Sequence, residues 1–217
     1  MFRTSGIVVA ALLLFTTAGW CQDNRFDVSV GAAGVFTSSS SGNGTTLTPT
    51  NSGAVLVTGR YRFSARNSVE LNYSHTTNSQ IYFSSPLTYR IHNTISEYSG
   101  AYVLSFWQSE RVEPFVFVGA AAVAFYPSYT GDTINGVDTS IPASQQTKPA
   151  FLYGGGADYY LFSRLPLIRR SPLTAHLALR LQYRGLLYKA PDFKVQNLFT
   201  ADHGHMAEPS VGIVVKF

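Results

Sequence analysis

Nine charged residues stand at strand-like spacings that would bring them to one surface. Asp27, Glu70, Glu97 and Asp158 would face Arg60, Arg62, Arg180, Arg184 and Lys216. Four negative charges against five positive is close to balance, and an unpaired charge in an interior is expensive. The chemistry open to such a set is ion pairing, which neutralises and plugs an enclosed space. An ion path or a gate is the sharper alternative. Arginine suits either role because its fork is rigid and always charged. Counting from a tight turn near 65–67 brings Arg62 level with Glu70, and counting around a later hairpin brings Asp158 near Arg180. No catalytic residue, cofactor or metal is assigned. His203 and His205 beside Asp202 could begin a metal site, but they lie in a long polar stretch and need a third ligand and a rigid frame. His92 and His176 read as ordinary strand positions. Gly154, Gly155 and Gly156 fall inside a strand, where glycine permits close packing or leaves interior space.

The elements that must carry these residues have period two. Phe26, Val28, Val30, Ala32, Gly34 and Phe36 alternate with Asp27, Ser29, Gly31 and Ala33. Helical spacing would place apolar residues three and four apart, so this is a strand with one apolar face. Further strands are expected over 53–64, 68–76, 90–107, 113–126, 150–162, 173–189 and about 210–217. In each but one, apolar and polar residues take opposite faces, as with Val55, Val57, Tyr61 and Phe63 against Thr58, Arg60 and Arg62. The exception is 113–126, where both faces are apolar or small. Most of the segments reach the roughly 9–11 residues that a tilted membrane strand needs.

Links alternate in length. Those near 65–67 and 108–111 are short, 163–172 is intermediate, and 37–52, 77–89, 127–149 and 190–207 are long and rich in Ser, Thr, Asn, Gly and Pro. Outer-membrane barrels have this asymmetry, with tight periplasmic turns and larger extracellular loops. An even strand count then puts both termini in the periplasm. A strand in hydrocarbon must have its backbone groups paired on both sides, so the sheet has to close. The expected fold is all-β, an antiparallel up-and-down transmembrane barrel of about eight strands whose interior just fills with side chains. Two aromatic girdles are expected: Tyr61, Phe63, Phe106, Trp107, Phe115 and Phe217 on the periplasmic side, and Tyr73, Phe125, Tyr126, Tyr153 and Tyr188 on the outer side.

Composition agrees with one face in lipid. Only 13% of the 217 residues are charged, 14% are aromatic, and mean hydropathy is +0.05. A soluble protein carries about twice that charged fraction, and twelve Arg against four Lys is not a soluble surface. A soluble periplasmic barrel, with the apolar faces inside, would leave those arginines outside. No Lys/Arg run suggests nucleic acid. At the N-terminus, Arg3 and the apolar run 7–15 read as a secretion signal, too short to span a bilayer. The expected division is therefore a signal peptide over 1–21 and a barrel domain over 22–217. Cys21 raises a lipoprotein reading, against which Trp20 counts because the processing enzyme wants a small residue there.

The ending Val211-Gly-Ile213-Val-Val215-Lys-Phe217 resembles the C-terminal signal of outer-membrane barrels, a terminal Phe after alternating apolar residues that the assembly machinery reads. The segments 154–160, 113–119 and 179–185 resemble strands of the small OmpA/OmpX-like outer-membrane family. The resemblance covers the barrel only, with no periplasmic peptidoglycan-binding domain expected, so cell-wall anchoring is not carried over. It implies a monomer in the outer membrane of a Gram-negative-type bacterium. The partners it implies are outer-membrane lipids, the assembly machinery during biogenesis, and an extracellular ligand held by loops. The chain is also similar in size to lipid A deacylases, which use a His-x-Ser segment with a Glu partner. Here His75 follows Ser74, and no His-x-Ser occurs. The expected role is structural or surface-interacting, through extracellular loops over a filled polar lumen. A narrow porin-like channel, a lipid A-modifying enzyme and a soluble periplasmic ligand-binding barrel remain as alternatives.

Overall fold

The computed structural model describes residues 25–107, 109, 111–160, 177–195 and 198–217. The expected signal segment, Cys21, the 163–172 link and His176 lie outside the described residues. Eight long strands form the ring: β1 (Phe26–Thr37), β4 (Ser52–Arg62), β5 (Asn67–Ser84), β6 (Leu87–Ser105), β7 (Val112–Ile134), β9 (Gln146–Tyr160), β10 (Leu177–Lys189) and β11 (His203–Lys216). Three short strands, β2 (Ser40–Gly42), β3 (Thr45–Pro49) and β8 (Val137–Asp138), belong to the connections. Each ring strand pairs antiparallel with its neighbours, and β1 pairs with both β4 and β11, so the sheet closes. At the seam Asp27 sits opposite Lys216, and Phe26 and Phe217 exchange backbone hydrogen bonds of 3.2 and 2.7 Å.

The faces are inverted relative to a soluble protein. Arg60 is 0% exposed, whereas Leu71, on the neighbouring strand and the opposite face, is 73% exposed. Val30, Val55, Tyr98, Leu181 and Ile213 share the outer belt with Leu71, while Asp27, Thr58, Glu70, Gln182 and Lys216 are buried. A monomer in water does not expose an apolar belt of that extent. The soluble-barrel alternative is thereby overturned: the apolar face is the exterior.

At one end the ring strands are joined by tight turns. Ser64 Oγ accepts hydrogen bonds from Asn67 N and Nδ2 (3.2 and 2.7 Å), and Ser109 Oγ accepts one from Val112 N (2.9 Å). The other end differs from expectation in a way that matters. The link 77–89 is not a loop: β5 and β6 run on as one ladder to Ser84 and Leu87, with only Ser85 and Pro86 between them. Its Asn and Ser residues imitate a loop, yet Thr76, Ile81, Tyr82, Tyr89 and Ile91 are strand formers. Within 37–52, β2 and β3 make a hairpin around Asn43-Gly44, both at positive φ (50° and 75°), and β3 joins the edge of β5. Asn135-Gly136 does the same between β7 and β8, with φ of 51° and 77°. Asn-Gly is the preferred pair for such turns, because both positions need φ above zero. β11 likewise begins at His203, within the segment read as loop.

The interior has two layers. Towards the tight turns it is ionic. Towards the long connections it is apolar, with Val35, Ile95, Phe125, Leu152, Leu186, Tyr188 and Met206 buried together. Two irregular stretches fold in over that layer, bringing Ile141, Ala143, Phe193 and Leu198 into it. Phe193 stands edge-on to Tyr82 and Phe125 (both 6.3 Å between ring centres). Tyr82 donates to the Pro191 carbonyl at 2.6 Å, and Ser144 N donates to the Phe193 carbonyl at 2.9 Å. Each large side chain buried this way contributes roughly 1.5–3 kcal/mol, so the cap is a packed element and not a loose flap.

Candidate functional site

All nine charged residues picked out by periodicity face the lumen, and strand alternation is what places them there. Arg60 and Glu70 are opposite each other in the β4–β5 register, and Arg60 Nε and Nη2 both donate to Glu70 Oε2 (3.0 and 2.7 Å). This corrects the expected Arg62–Glu70 pair. The turn is centred on Ala65, one residue earlier than the count assumed, so Arg62 lies opposite Ser68 and bonds Glu113 across the lumen at 2.5 Å. Asp158 and Arg180 are register partners, joined by bonds of 2.7 and 3.0 Å. Arg180 also reaches Asp27 at 3.1 Å and lies 3.9 Å from Glu70.

The set has three lobes. The first centres on Arg180 and Arg60, whose guanidinium carbons lie 5.3 and 4.2 Å from the centre of the Phe115 ring. The second centres on Glu113, which accepts from Lys216 (2.9 Å), Tyr160 (2.8 Å) and Ser105 (3.0 Å) as well as Arg62. Lys216 ties it to the first through Asp158 at 3.1 Å. The third lies nearer the apolar layer, where Arg184 bonds Glu97, Glu208 (2.6 Å) and Ser99 (3.2 Å). Glu113 and Glu208 were missed. Alternation could have found Glu208, which shares parity with Lys216, whereas Glu113 shares a face with Phe115, whose side the pattern of that strand did not assign. With them the lumen holds six carboxylates and five cations among the described residues.

The girdles need three corrections. Phe115 is 1% exposed, Phe125 0% and Tyr188 3%, so all three are interior. Adjacent strand residues point to opposite faces, so Phe125 and Tyr126 could not both be outside. Tyr188 shares parity with Arg180 and Arg184. The other predicted girdle residues are on the outer face, Tyr61, Phe63, Phe106 and Phe217 at the turn end and Tyr73, Tyr126 and Tyr153 at the other, while Trp107 is exposed in the turn beyond β6. The ambiguous strand thus turns its phenylalanines inward, and glycines opposite make room. A Cβ on Gly154 would lie 2.5 Å from Phe117 Cζ and 2.2 Å from the Tyr183 carbonyl oxygen.

Histidine chemistry is sparse. His205 Nε2 is 2.9 Å from Tyr153 Oη, and Asp202 Oδ1 accepts from the backbone of His203 at 2.7 Å. Among the described residues no group of three or more His, Cys, Asp or Glu is placed to hold a metal ion. Ser79 Oγ and His92 Nδ1 are 3.1 Å apart, but Asp132 Oδ1 accepts from the backbone N–H of His92 and not from its ring. The third role of a nucleophilic triad, a carboxylate orienting the imidazole, is therefore not what Asp132 does.

A closed antiparallel ring with an ion-paired interior and an apolar exterior defines a transmembrane β-barrel of the outer-membrane class. The chain belongs to the outer membrane protein β-barrel domain family, whose model matches residues 7–204. Among solved structures it is similar to OprG from Pseudomonas aeruginosa (15% identity, TM-score 0.58, 89% of this chain and 95% of that one). It is also similar to Neisserial surface protein A (18% identity, TM-score 0.53, 88% and 97%). At these identities the likeness is one of fold. No curated protein matches the sequence.

Proposed function

We propose that this protein is a non-conducting outer-membrane barrel that works through its surface connections, with the lumen acting as a structural plug. The observation that carries the reading is the filled interior, among the described residues an ionic layer of five cations and six carboxylates beneath an apolar cap. Hydrated ions would have to break both. The long ends support the surface role. β6 and β7 have 19 and 23 residues, about twice what a crossing needs, so they carry an ordered platform beyond the bilayer. In this reading both termini and the tight turns are periplasmic, in a Gram-negative-type envelope. The segment 1–21 is a secretion signal that is removed. Val211, Ile213, Val215 and Phe217 form the outward face read during assembly, and the protein is a monomer in contact with outer-membrane lipids. Neither nucleic acid nor a cofactor is involved.

The test is conductance of the refolded barrel in a planar bilayer. A flat trace under applied voltage supports the plug. Stable unitary steps, abolished by an added substitution in the ionic layer, would make it a channel instead. Expression in a lipid A reporter strain, with lipid A mass unchanged, separates the reading from an enzyme of the outer leaflet.

A further inference from the structure

Beyond the outer aromatic girdle the exterior of β5, β6 and β7 changes character. Tyr73, Tyr98 and Tyr126 give way, along the same faces, to Thr77, Ser79, His92, Thr94, Ser128 and Thr130. The ladder also opens there. His92 pairs with Ser128 but Arg90 pairs with Thr133, so residues 129–132 of β7 stand against a single residue of β6. Gly131, at φ 80°, makes the excursion possible. On the other side Thr50, directly after β3, meets the edge of β5 and exchanges bonds with Ser79: Thr50 N to the Ser79 carbonyl and Ser79 N to Thr50 Oγ1, both 2.9 Å. The residues around the bulge and this edge line a cavity of about 430 Å³.

Its lining is unusual for a membrane protein's exterior. Every described residue that lines it is a Ser, Thr, Asn or His, with no aliphatic side chain and no Lys, Arg, Asp or Glu among them. Two of them, Asn78 and Asn93, pair across β5 and β6 and turn their amides to the lumen side, so the outer wall is made by the hydroxyls of Thr77, Ser79, Thr94, Ser128 and Thr130 and by the His92 ring. The volume falls in the roughly 300–1,000 Å³ of small-ligand sites. Hydroxyls and amides offer donors and acceptors together, matching a ligand that does the same and carries no charge. A phosphate or carboxylate would meet no cation among the described lining residues. Position narrows the class further. Counting from Asn67, the eleventh residue of β5 is Thr77, about where a tilted strand has crossed the hydrocarbon. The cavity opens on the outer face at that level, among lipid headgroups.

We propose that this cavity binds a neutral sugar unit, presented either by a glycolipid headgroup of the surrounding leaflet or by a soluble glycan. The Thr77, Ser79, Thr94 and Ser128 hydroxyls and the His92 ring, held by Ser79 at 3.1 Å, make the contacts. The site deepens the surface-interaction reading and rests on it.

The test uses the full mature chain refolded into phosphatidylglycerol nanodiscs, with NMR signals of the His92 ring and the Thr94 amide as reporters. The probes are a soluble neutral oligosaccharide of glucose and galactose, and an intact neutral glycolipid with the same headgroup built into the disc. Shifts with the soluble oligosaccharide assign a free glycan. Shifts with the intact lipid alone assign a headgroup. In either case Thr94→Phe and Ser128→Phe, which fill the cavity from the outer face, weaken binding at least tenfold while heat-dependent gel mobility stays that of the parent. Thr130→Phe at the rim serves if either variant does not fold. No shift with both probes, or binding that the filled variants keep, overturns the proposal. Conductance of the same samples is read in parallel, so a silent cavity in a non-conducting barrel sinks this inference and leaves the surface reading standing.

Discussion

Replacing Arg184 with Met tests whether the lumen is a structural plug. Arg184 is fully buried and is the cation between Glu97 and Glu208, with Ser99 as a further acceptor. Methionine keeps most of the volume but strands both carboxylates. Breaking a buried pair by removing one partner costs about 3–5 kcal/mol, whereas replacing the whole set by neutral groups of similar size is close to neutral. Arg184→Met should therefore lose about 3–5 kcal/mol of unfolding free energy. Adding Glu97→Gln and Glu208→Gln should recover most of the loss, because these three side chains hold one another and couple strongly. The assay is urea unfolding in lipid vesicles, followed by tryptophan fluorescence and by heat-dependent mobility. If Arg184→Met costs less than about 1 kcal/mol, a figure typical of exposed pairs, the lobe is wet and the plug argument fails. A triple variant no better than the single one would show that packing, and not charge, sets the penalty.

Three further outcomes follow from the same structure. Leu71→Arg puts a charge near mid-strand on the lipid face and should cost about 2–4 kcal/mol in vesicles; a neutral effect in the same urea titration would remove the lipid assignment. Gly154→Val forces a Cβ into the Phe117 ring and the Tyr183 carbonyl and should cost about 1–3 kcal/mol, recovered in part by Phe117→Ala. Asp192 lies in the cap beyond the membrane. Burial raises its carboxyl, but the Gln146 amide, the Lys194 N–H and the nearby Lys148 charge together hold it below its usual value. A depressed folded pKa stabilises the cap above the unfolded value, near 3.9 for Asp, and that stability is lost as pH falls through the folded one. The protection factor of the Ser144 amide, which donates to the Phe193 carbonyl, should therefore fall as the pH drops below about 4, and Asp192→Asn should flatten that dependence.

How much could be read from the chain depended on alternation. Where one face was polar, as with Arg60 and Arg62 or Arg180 and Arg184, period two assigned the lumen correctly and brought Asp158 to Arg180. Where both faces were apolar, as in β7, no contrast existed, and Phe115 and Phe125 were put on the wrong side. Pair register was legible only as far as the centre of the turn was, and a shift of that centre by one residue, from 66 to 65, is why Arg62 was matched to Glu70 in place of Arg60. The polar strand ends at 77–84 and 87–89 passed for loop because beyond the bilayer both faces of a strand can be polar. The apolar cap was not legible. Ile141, Phe193 and Leu198 lie in irregular segments with no period, and their burial is decided by the ring they close over. The polar cavity depends on a bulge at 129–132 that nothing in local composition announces.

The seam between β1 and β11 joins Phe26 to Phe217, nearly the two ends of the chain. Loop closure over so long a span is entropically slow. Until it happens the growing sheet has two bare edges, each a template for any other strand in reach. The order of events is therefore built into the topology: adjacent hairpins zip first, and the ring is sealed last. A cell that makes this protein has to shelter those edges through the interval, and the chain's exposure to mispairing ends only when Asp27 meets Lys216 across the last gap.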